Sequence, residues 1–214
     1  MTRAGLSALI AALASAAPAG AQSAAYPATA VLDAVRTACD RLPSLPAAHA
    51  HVRGAGWTRV EDASATPVGP LLTFGAEQGA KLAKAQGGSL AVDRGAYRKT
   101  VAGEELWLLL SGATMNGRTV HGCRVYDPGE TRRIAAADAA RWLGREPGQA
   151  VDRPELARAV WEPGVNPGQD SFEMFFIPAD SPLRELTKLS GMAFKADWVG
   201  SPAPASPTSP QEKK

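Results

Sequence analysis

The first part of the chain carries apolar residues at helical spacing. They recur at steps of three and four, which places them on one face of a helix: Val31, Leu32, Val35, Cys39 and Leu42. Pro43 ends this helix, because proline has no amide donor and its ring clashes with the preceding turn. A second helix over 46–54, a short strand over 56–60 and a third helix over 71–85 follow, and Gly87-Gly88 ends the last of them.

The middle of the chain has the pattern of an antiparallel meander. Residues 96–101 alternate between apolar and polar, and residues 105–111 form a short apolar run that is typical of a central strand. Asn116-Gly117 is a strong hairpin signal, because both residues tolerate positive φ. The third strand spans 118–126, so three sequential strands are joined by short turns.

Helical and strand patterns are mixed in the last part of the chain. Helices are predicted over 131–143, 153–161 and 182–189, and strands over 171–177 and 192–199. The whole order predicts an α+β fold, in which an antiparallel sheet is packed with several helices on one face. That sheet comprises the three-strand meander and about two later strands.

Both ends of the chain differ from this central region. Arg3, an apolar stretch over 6–16 and small residues before Ala21 predict a signal peptide over 1–21, cleaved between Ala21 and Gln22. The stretch is too Ala-rich and too interrupted by proline to predict a stable membrane anchor. We therefore expect a periplasmic or secreted protein, with one globular domain over 22–200 and a disordered, Pro-rich tail over 201–214.

The composition excludes some classes of partner. A formal charge of +2 is too small to predict nucleic acid or an anionic membrane as a partner. Hydrophobic residues make up 45% of the chain, which is enough to build a core. The oligomeric state does not follow from the sequence.

The chain has two cysteines, Cys39 and Cys123. An even number in an exported protein predicts a disulfide between them. The alternative is a nucleophilic thiol at Cys123, with His121 as its base two residues away on the same strand face. Neighbours at that spacing lie about 6–7 Å apart at the backbone, which is long for a direct hydrogen bond.

Candidate chemical groups are few. His49, His51 and His121 are the histidines, and a metal site drawing on all three lacks a recognised ligand spacing. Glu104, Glu105 and Asp127 lie at turns, and adjacent residues of a strand face opposite ways, so the two glutamates do not form a natural pair. Another candidate is the loop over 161–169, because binding residues concentrate on loops held by a rigid scaffold.

These observations favour a binding function over catalysis. The sequence assigns no catalytic, cofactor-binding or metal-binding residue. We expect an exported domain that binds an envelope protein or a small ligand, or an envelope accessory protein without a discrete ligand. The alternative is an exported hydrolase with an unrecognised site that depends on His49, His51 or His121.

Overall fold

A computed structural model describes residues 25–200. This part of the chain folds into five helices and nine strands. The helices are α1 (Ala28–Ala38), α2 (Leu45–Gly54), α3 (Gly69–Ala85), α4 (Ala136–Leu143) and α5 (Leu183–Thr187). The strands are β1 (Thr58–Val60), β2 (Ser89–Val92), β3 (Ala96–Val101), β4 (Glu104–Met115), β5 (Arg118–Pro128), β6 (Gln149–Arg153), β7 (Leu156–Trp161), β8 (Ser171–Ile177) and β9 (Gly191–Val199).

All the strands belong to one antiparallel sheet, which confirms the predicted α+β fold. Its order is β1-β3-β4-β5-β9-β8-β7-β6, and β2 pairs with the second half of β4. The predicted meander is β3-β4-β5, and its second turn has positive φ at Asn116 (50°) and Gly117 (70°). The long strands β4 and β5 are neighbours in the interior of this order.

Helices cover both faces of the sheet, and the expectation of helices on one face is wrong. One face, the α1 face, packs against α1, α2 and α4 around buried side chains such as Leu108, Val125 and Phe194. The opposite face, the α3 face, packs Trp107 and Tyr126 with residues of α3 and α5. Alternation along β4 and β5 supplies apolar side chains to both layers.

The prediction of a helix over 153–161 is also wrong, because this segment belongs to a β-hairpin. Strands β6 and β7 are antiparallel, with Arg153 opposite Leu156. The buried side chains of β7 are Ala159 and Trp161, two positions apart, as expected for one face of a strand. The sheet therefore gains four strands after the meander instead of about two, and β2 was not predicted at all.

The predicted disulfide is present. Cys39 follows the end of α1 and bonds to Cys123 of β5, with a Cα–Cα distance of 5.6 Å and both residues buried. The bond joins a helix of the α1 face to a central strand. It also rules out the alternative of a free thiol at Cys123 with His121 as its base.

Several sequence predictions lie outside residues 25–200. These are the signal peptide, its cleavage between Ala21 and Gln22, and the Pro-rich tail. Among the helices of the described region, none combines the length and the apolar character needed to cross a membrane.

Candidate ligand-binding site

A cavity of about 280 Å³ lies between α3 and the sheet. Its roof is the face of α3 that carries Leu72, Ala76 and Gly79, and its floor is formed by side chains of β2, β4, β5 and β9. The apolar part of the floor and wall comprises Leu90, Leu109, Ala113, Met115 and Val120. A concave, mainly apolar space with few polar groups is the usual form of a small-molecule site.

Small side chains leave this space open. Gly75, Ala76 and Gly79 face it from α3, and Ala113 faces it from β4. The helix meets the sheet mainly at β2, where a Cβ on Gly79 would lie 2.9 Å from Leu90 Cδ2. Because α3 rests on the short edge strand β2, it spans the floor of β4 and β5 without filling the gap below it.

An ion pair lies in the floor of the cavity. Arg124 of β5 donates from Nη2 to Asp197 Oδ1 of β9 at 2.5 Å, and from Nη1 to the carbonyls of Cys123 (3.1 Å) and Ala196 (3.0 Å). The guanidinium lies over Gly122, where a Cβ would be 2.9 Å from Arg124 Nη1. A Cβ at this position would therefore force the ends of the Arg124 and Ser111 side chains to shift.

Two hydroxyl groups accompany this ion pair. Tyr126 lines the cavity and is 7% exposed, and burial raises its pKa to about 12. Within residues 25–200 neither Tyr126 nor Ser111, which also lines the cavity, has a hydrogen-bonding partner for its hydroxyl. In the described region the fully buried side-chain atoms without a partner are Arg36 Nε and Trp57 Nε1, so neither of these two hydroxyl oxygens is fully enclosed. These hydroxyls are available to a ligand.

The three histidines occupy separate places in the structure. His51 bonds through Nε2 to the carbonyl oxygen of Thr37 at 2.9 Å. His121 bonds through Nδ1 to the carbonyl oxygen of Leu42 at 2.7 Å and stacks on Trp198. Both rings therefore have structural roles, and the described region brings no two histidines into one candidate metal group.

His49 differs, because its partners are side chains. Its Nδ1 is 2.7 Å from the hydroxyl of Tyr97, which also accepts from Arg53 at 3.4 Å. Its Nε2 is 4.0 Å from Asp93 Oδ2, and Asp93 is held by Arg59 at 2.6 Å. Burial lowers the pKa of His49, an effect that Asp93 opposes, so the ring is neutral near pH 7. The cluster lines a shallow depression at the edge of the sheet.

An acidic cluster lies at the start of β4 and the end of β5. Carboxylate oxygens of Glu104, Asp127 and Glu130 lie within 4.8 Å of one another. Arg132 binds Glu104 at 2.7 Å and Glu130 at 2.5 Å, and the hydroxyl of Tyr26 donates to Asp127 at 2.8 Å. The Arg132 guanidinium already pairs with two of the three carboxylates, so the cluster links the chain segments that carry these residues.

Two carboxyl groups of this cluster have pKa values that are shifted in opposite directions. Burial raises the pKa of Asp127 to about 6, whereas hydrogen bonds from Arg132 lower the pKa of Glu130 to about 2. Glu105 does not take part. It faces Arg98 at 3.8 Å and accepts from Trp107 Nε1 at 3.2 Å, which agrees with the expectation that the two adjacent glutamates face apart.

The loop over 161–169 has a structural role. Trp161 is fully buried, and its Nε1 donates to the carbonyl of Arg145 at 3.2 Å. Asn166 and Gln169 are also buried and donate to the carbonyls of Arg36 (2.8 Å) and Cys39 (2.5 Å) near the end of α1. The loop connects the sheet to α1 through these hydrogen bonds, and its three buried side chains are not available to a ligand.

The cavity is not among the features predicted above, although the sequence carries a signal for it. The predicted helix over 71–85 carries small residues where its core-facing side should be large, and residues 111–113 carry three small residues in a central strand. Together they indicate incomplete packing. Comparisons of the chain with protein-family models, curated proteins and solved structures gave no match.

Proposed function

We propose that this protein is an exported, non-catalytic binding domain that holds a small, largely apolar ligand between α3 and the sheet. The cavity of about 280 Å³ carries this proposal, because its lining is mainly apolar and includes hydroxyl groups that no group in the described part of the chain engages. An apolar cavity of about 150 Å³ in another protein stays dry and takes up benzene. A ligand of roughly ten to fourteen non-hydrogen atoms would fill this one.

The side chains of the cavity support binding over catalysis. Among residues 25–200, its lining includes no histidine or cysteine, and its close ion pair, Arg124 with Asp197, is internally compensated. A general base or nucleophile needs a reactive group within hydrogen-bond reach of the ligand. Asp93 also lines the cavity, but Arg59 holds its carboxylate.

The disulfide supports an extracytoplasmic location for this function. Structural disulfides persist in oxidising compartments and are rare in the cytosol of most cells. The bond between Cys39 and Cys123 is buried on the α1 face, on the other side of the sheet from the cavity. We therefore propose that it stabilises the scaffold of the binding site in the periplasm or outside the cell.

The experiment is a titration of the purified protein with p-xylene, followed by calorimetry and thermal unfolding. We expect saturable binding, with a stabilisation of about 2.7 kcal/mol at a hundred times the Kd. Ala76→Phe places a ring in the cavity and should abolish binding. Gln78→Phe adds the same ring to an exposed position of α3 outside the cavity and should leave binding intact. Equal binding by both variants would contradict the proposal.

The second candidate function is a hydrolase that depends on His49. The contact of His49 with Tyr97 and its approach to Asp93 favour this ring over His51 and His121. If hydrolysis of an ester, glycoside or peptide substrate is detected, His49→Gln should abolish it, whereas His121→Ala should preserve it. Activity that survives His49→Gln would rule out this candidate.

A further inference from the structure

The floor of the cavity selects the chemical class of the ligand. We infer that the ligand, taken to occupy the cavity of the proposed function, is uncharged and carries a hydroxyl or carbonyl group that bonds to Tyr126. It is neither a carboxylate nor an amine. The inference rests on the Arg124–Asp197 pair together with Tyr126, which lines the cavity and whose hydroxyl has no hydrogen-bonding partner within residues 25–200.

The ion pair argues against a charged ligand. Arg124 and Asp197 are 2.5 Å apart, and their side chains are only 23% and 28% exposed. A carboxylate on the ligand would compete with Asp197 for the guanidinium, and an ammonium group would compete with Arg124 for the carboxylate. Either ligand would leave a third charge without a partner in a largely apolar space, which is strongly unfavourable.

Charges farther along the same face are compensated as well. Glu173 of β8 binds Lys195 of β9 at 2.8 Å and also pairs with Arg158 of β7. These groups lie beside the Arg124–Asp197 pair, because Arg124 is opposite Lys195 and Lys195 is opposite Glu173 in the sheet register. These three residues do not line the cavity, but they pair with one another and therefore bring no uncompensated charge next to Arg124 and Asp197.

The hydroxyl groups favour a neutral, hydrogen-bonding head group. Tyr126 is only 7% exposed, and its hydroxyl can donate one hydrogen bond and accept another. Burial keeps it protonated, with a pKa of about 12. Ser111, on the same face of the sheet, supplies a second hydroxyl. A ligand hydroxyl or carbonyl pairs with such groups without adding charge to the cavity.

Four ligands with one carbon skeleton test this inference. They are p-xylene, 4-methylbenzyl alcohol, 4-methylbenzoate and 4-methylbenzylammonium, titrated at pH 7 by calorimetry. We expect the alcohol to bind about tenfold more tightly than either charged compound. Tyr126→Phe should weaken binding of the alcohol about tenfold relative to p-xylene, because one hydrogen bond of about 1.4 kcal/mol is a factor of ten.

A charge variant gives a second readout. Asp197→Asn removes the counter-charge of Arg124, so we expect the preference to move from the alcohol to 4-methylbenzoate. Wild-type protein that prefers either charged ligand would overturn the inference and leave the proposed cavity function intact. An unchanged preference in Asp197→Asn would also overturn it. Failure of p-xylene and the alcohol alike to bind would overturn the proposed function itself, and the inference with it.

Discussion

Asp127 shows how one buried side chain makes stability depend on pH. Its pKa is raised to about 6 from an ordinary value near 3.8, mainly because burial disfavours the charged form. A carboxyl group with a raised native pKa contributes its full stability below the unfolded value, and that contribution is lost as the pH rises through the native value. Asp127 therefore destabilises the protein progressively between about pH 4 and 6, and fully above that.

The first prediction concerns Asp127→Asn. Asparagine cannot ionise but still offers an oxygen to the hydroxyl of Tyr26, so the variant should gain about 1–3 kcal/mol at pH 8 and almost nothing at pH 4. Urea unfolding at both pH values measures this. Glu130→Gln is the control. Since Arg132 lowers the pKa of Glu130 to about 2, its carboxylate stabilises the protein at pH 8, and this variant should lose stability there. Asp127→Asn with no gain at pH 8 would contradict the assignment.

The second prediction compares two glycines at the cavity. A Cβ on Gly122 would lie 2.9 Å from both Arg124 Nη1 and Ser111 Oγ, whereas a Cβ on Gly75 has no atom within 4 Å. Gly122→Ala must displace the guanidinium and should cost about 1–3 kcal/mol. Gly75→Ala should stabilise α3 by about 0.5–1 kcal/mol, because alanine is the better helix former. Thermal unfolding of both variants checks this, and equal effects would show that Gly122 has no special steric role.

At the scale of elements, α3 buries the smallest share of its residues among the three longest helices. Its buried residues are Gly69 and Ala83, near its two ends, whereas α1 buries Val31, Leu32 and Val35 along one side. The middle of α3 faces the cavity, so it lacks the apolar contacts that oppose local opening. We therefore expect a ligand in the cavity to stabilise α3 against local opening.

The third prediction is that α3 exchanges its amide hydrogens faster than α1. Hydrogen exchange followed by mass spectrometry should show protection over 31–38 that exceeds protection over 72–82 in the free protein. Saturating p-xylene should slow exchange in α3 and leave α1 unchanged, because binding adds apolar contacts on the cavity side only. Uniform slowing of both helices would indicate a general effect on stability and would contradict a site under α3.

The elements also show how far the sequence predicts the fold. Helix α1 (Ala28–Ala38) and strand β8 (Ser171–Ile177) could be predicted because each has a strong period, but α1 ends at Ala38 and does not continue to Pro43 as predicted. The sequence of 153–161 predicts a helix because Pro154 suits a helix start, yet Pro154 and Glu155 form the turn between β6 and β7. Pairing with β8, a contact distant in sequence, decides this segment.

The site was harder to predict than the fold. Cys39 and Cys123 could be paired from their number and the expected compartment. Nothing local in the sequence brings Arg124 to Asp197, because the two residues meet only through the register of β5 and β9. The cavity also depends on tertiary structure, since it arises from the distance at which β2 holds α3 above β4.

At the scale of the whole molecule, the sheet separates two layers with different roles. The α1 face holds the larger apolar core and the disulfide, and the buried loop residues Asn166 and Gln169 tie the later strands to α1. The α3 face holds the smaller core and the cavity. A rigid layer on one side thus supports a less tightly packed layer that can admit a ligand.

The fourth prediction follows from this division. Cys39 and Cys123 are 84 positions apart, so their bond closes a long loop, and the loss of chain entropy in the unfolded state is worth about 4–5 kcal/mol. Replacing both by alanine should lower the free energy of unfolding by up to that amount and reduce the Tm markedly.

Binding of p-xylene at a temperature where the variant stays folded should keep its wild-type Kd, because the sheet lies between the disulfide and the cavity. Denaturant unfolding and calorimetry on one preparation measure both quantities. A large loss of affinity in the folded variant would show that the two layers are coupled, and would contradict their separation across the sheet.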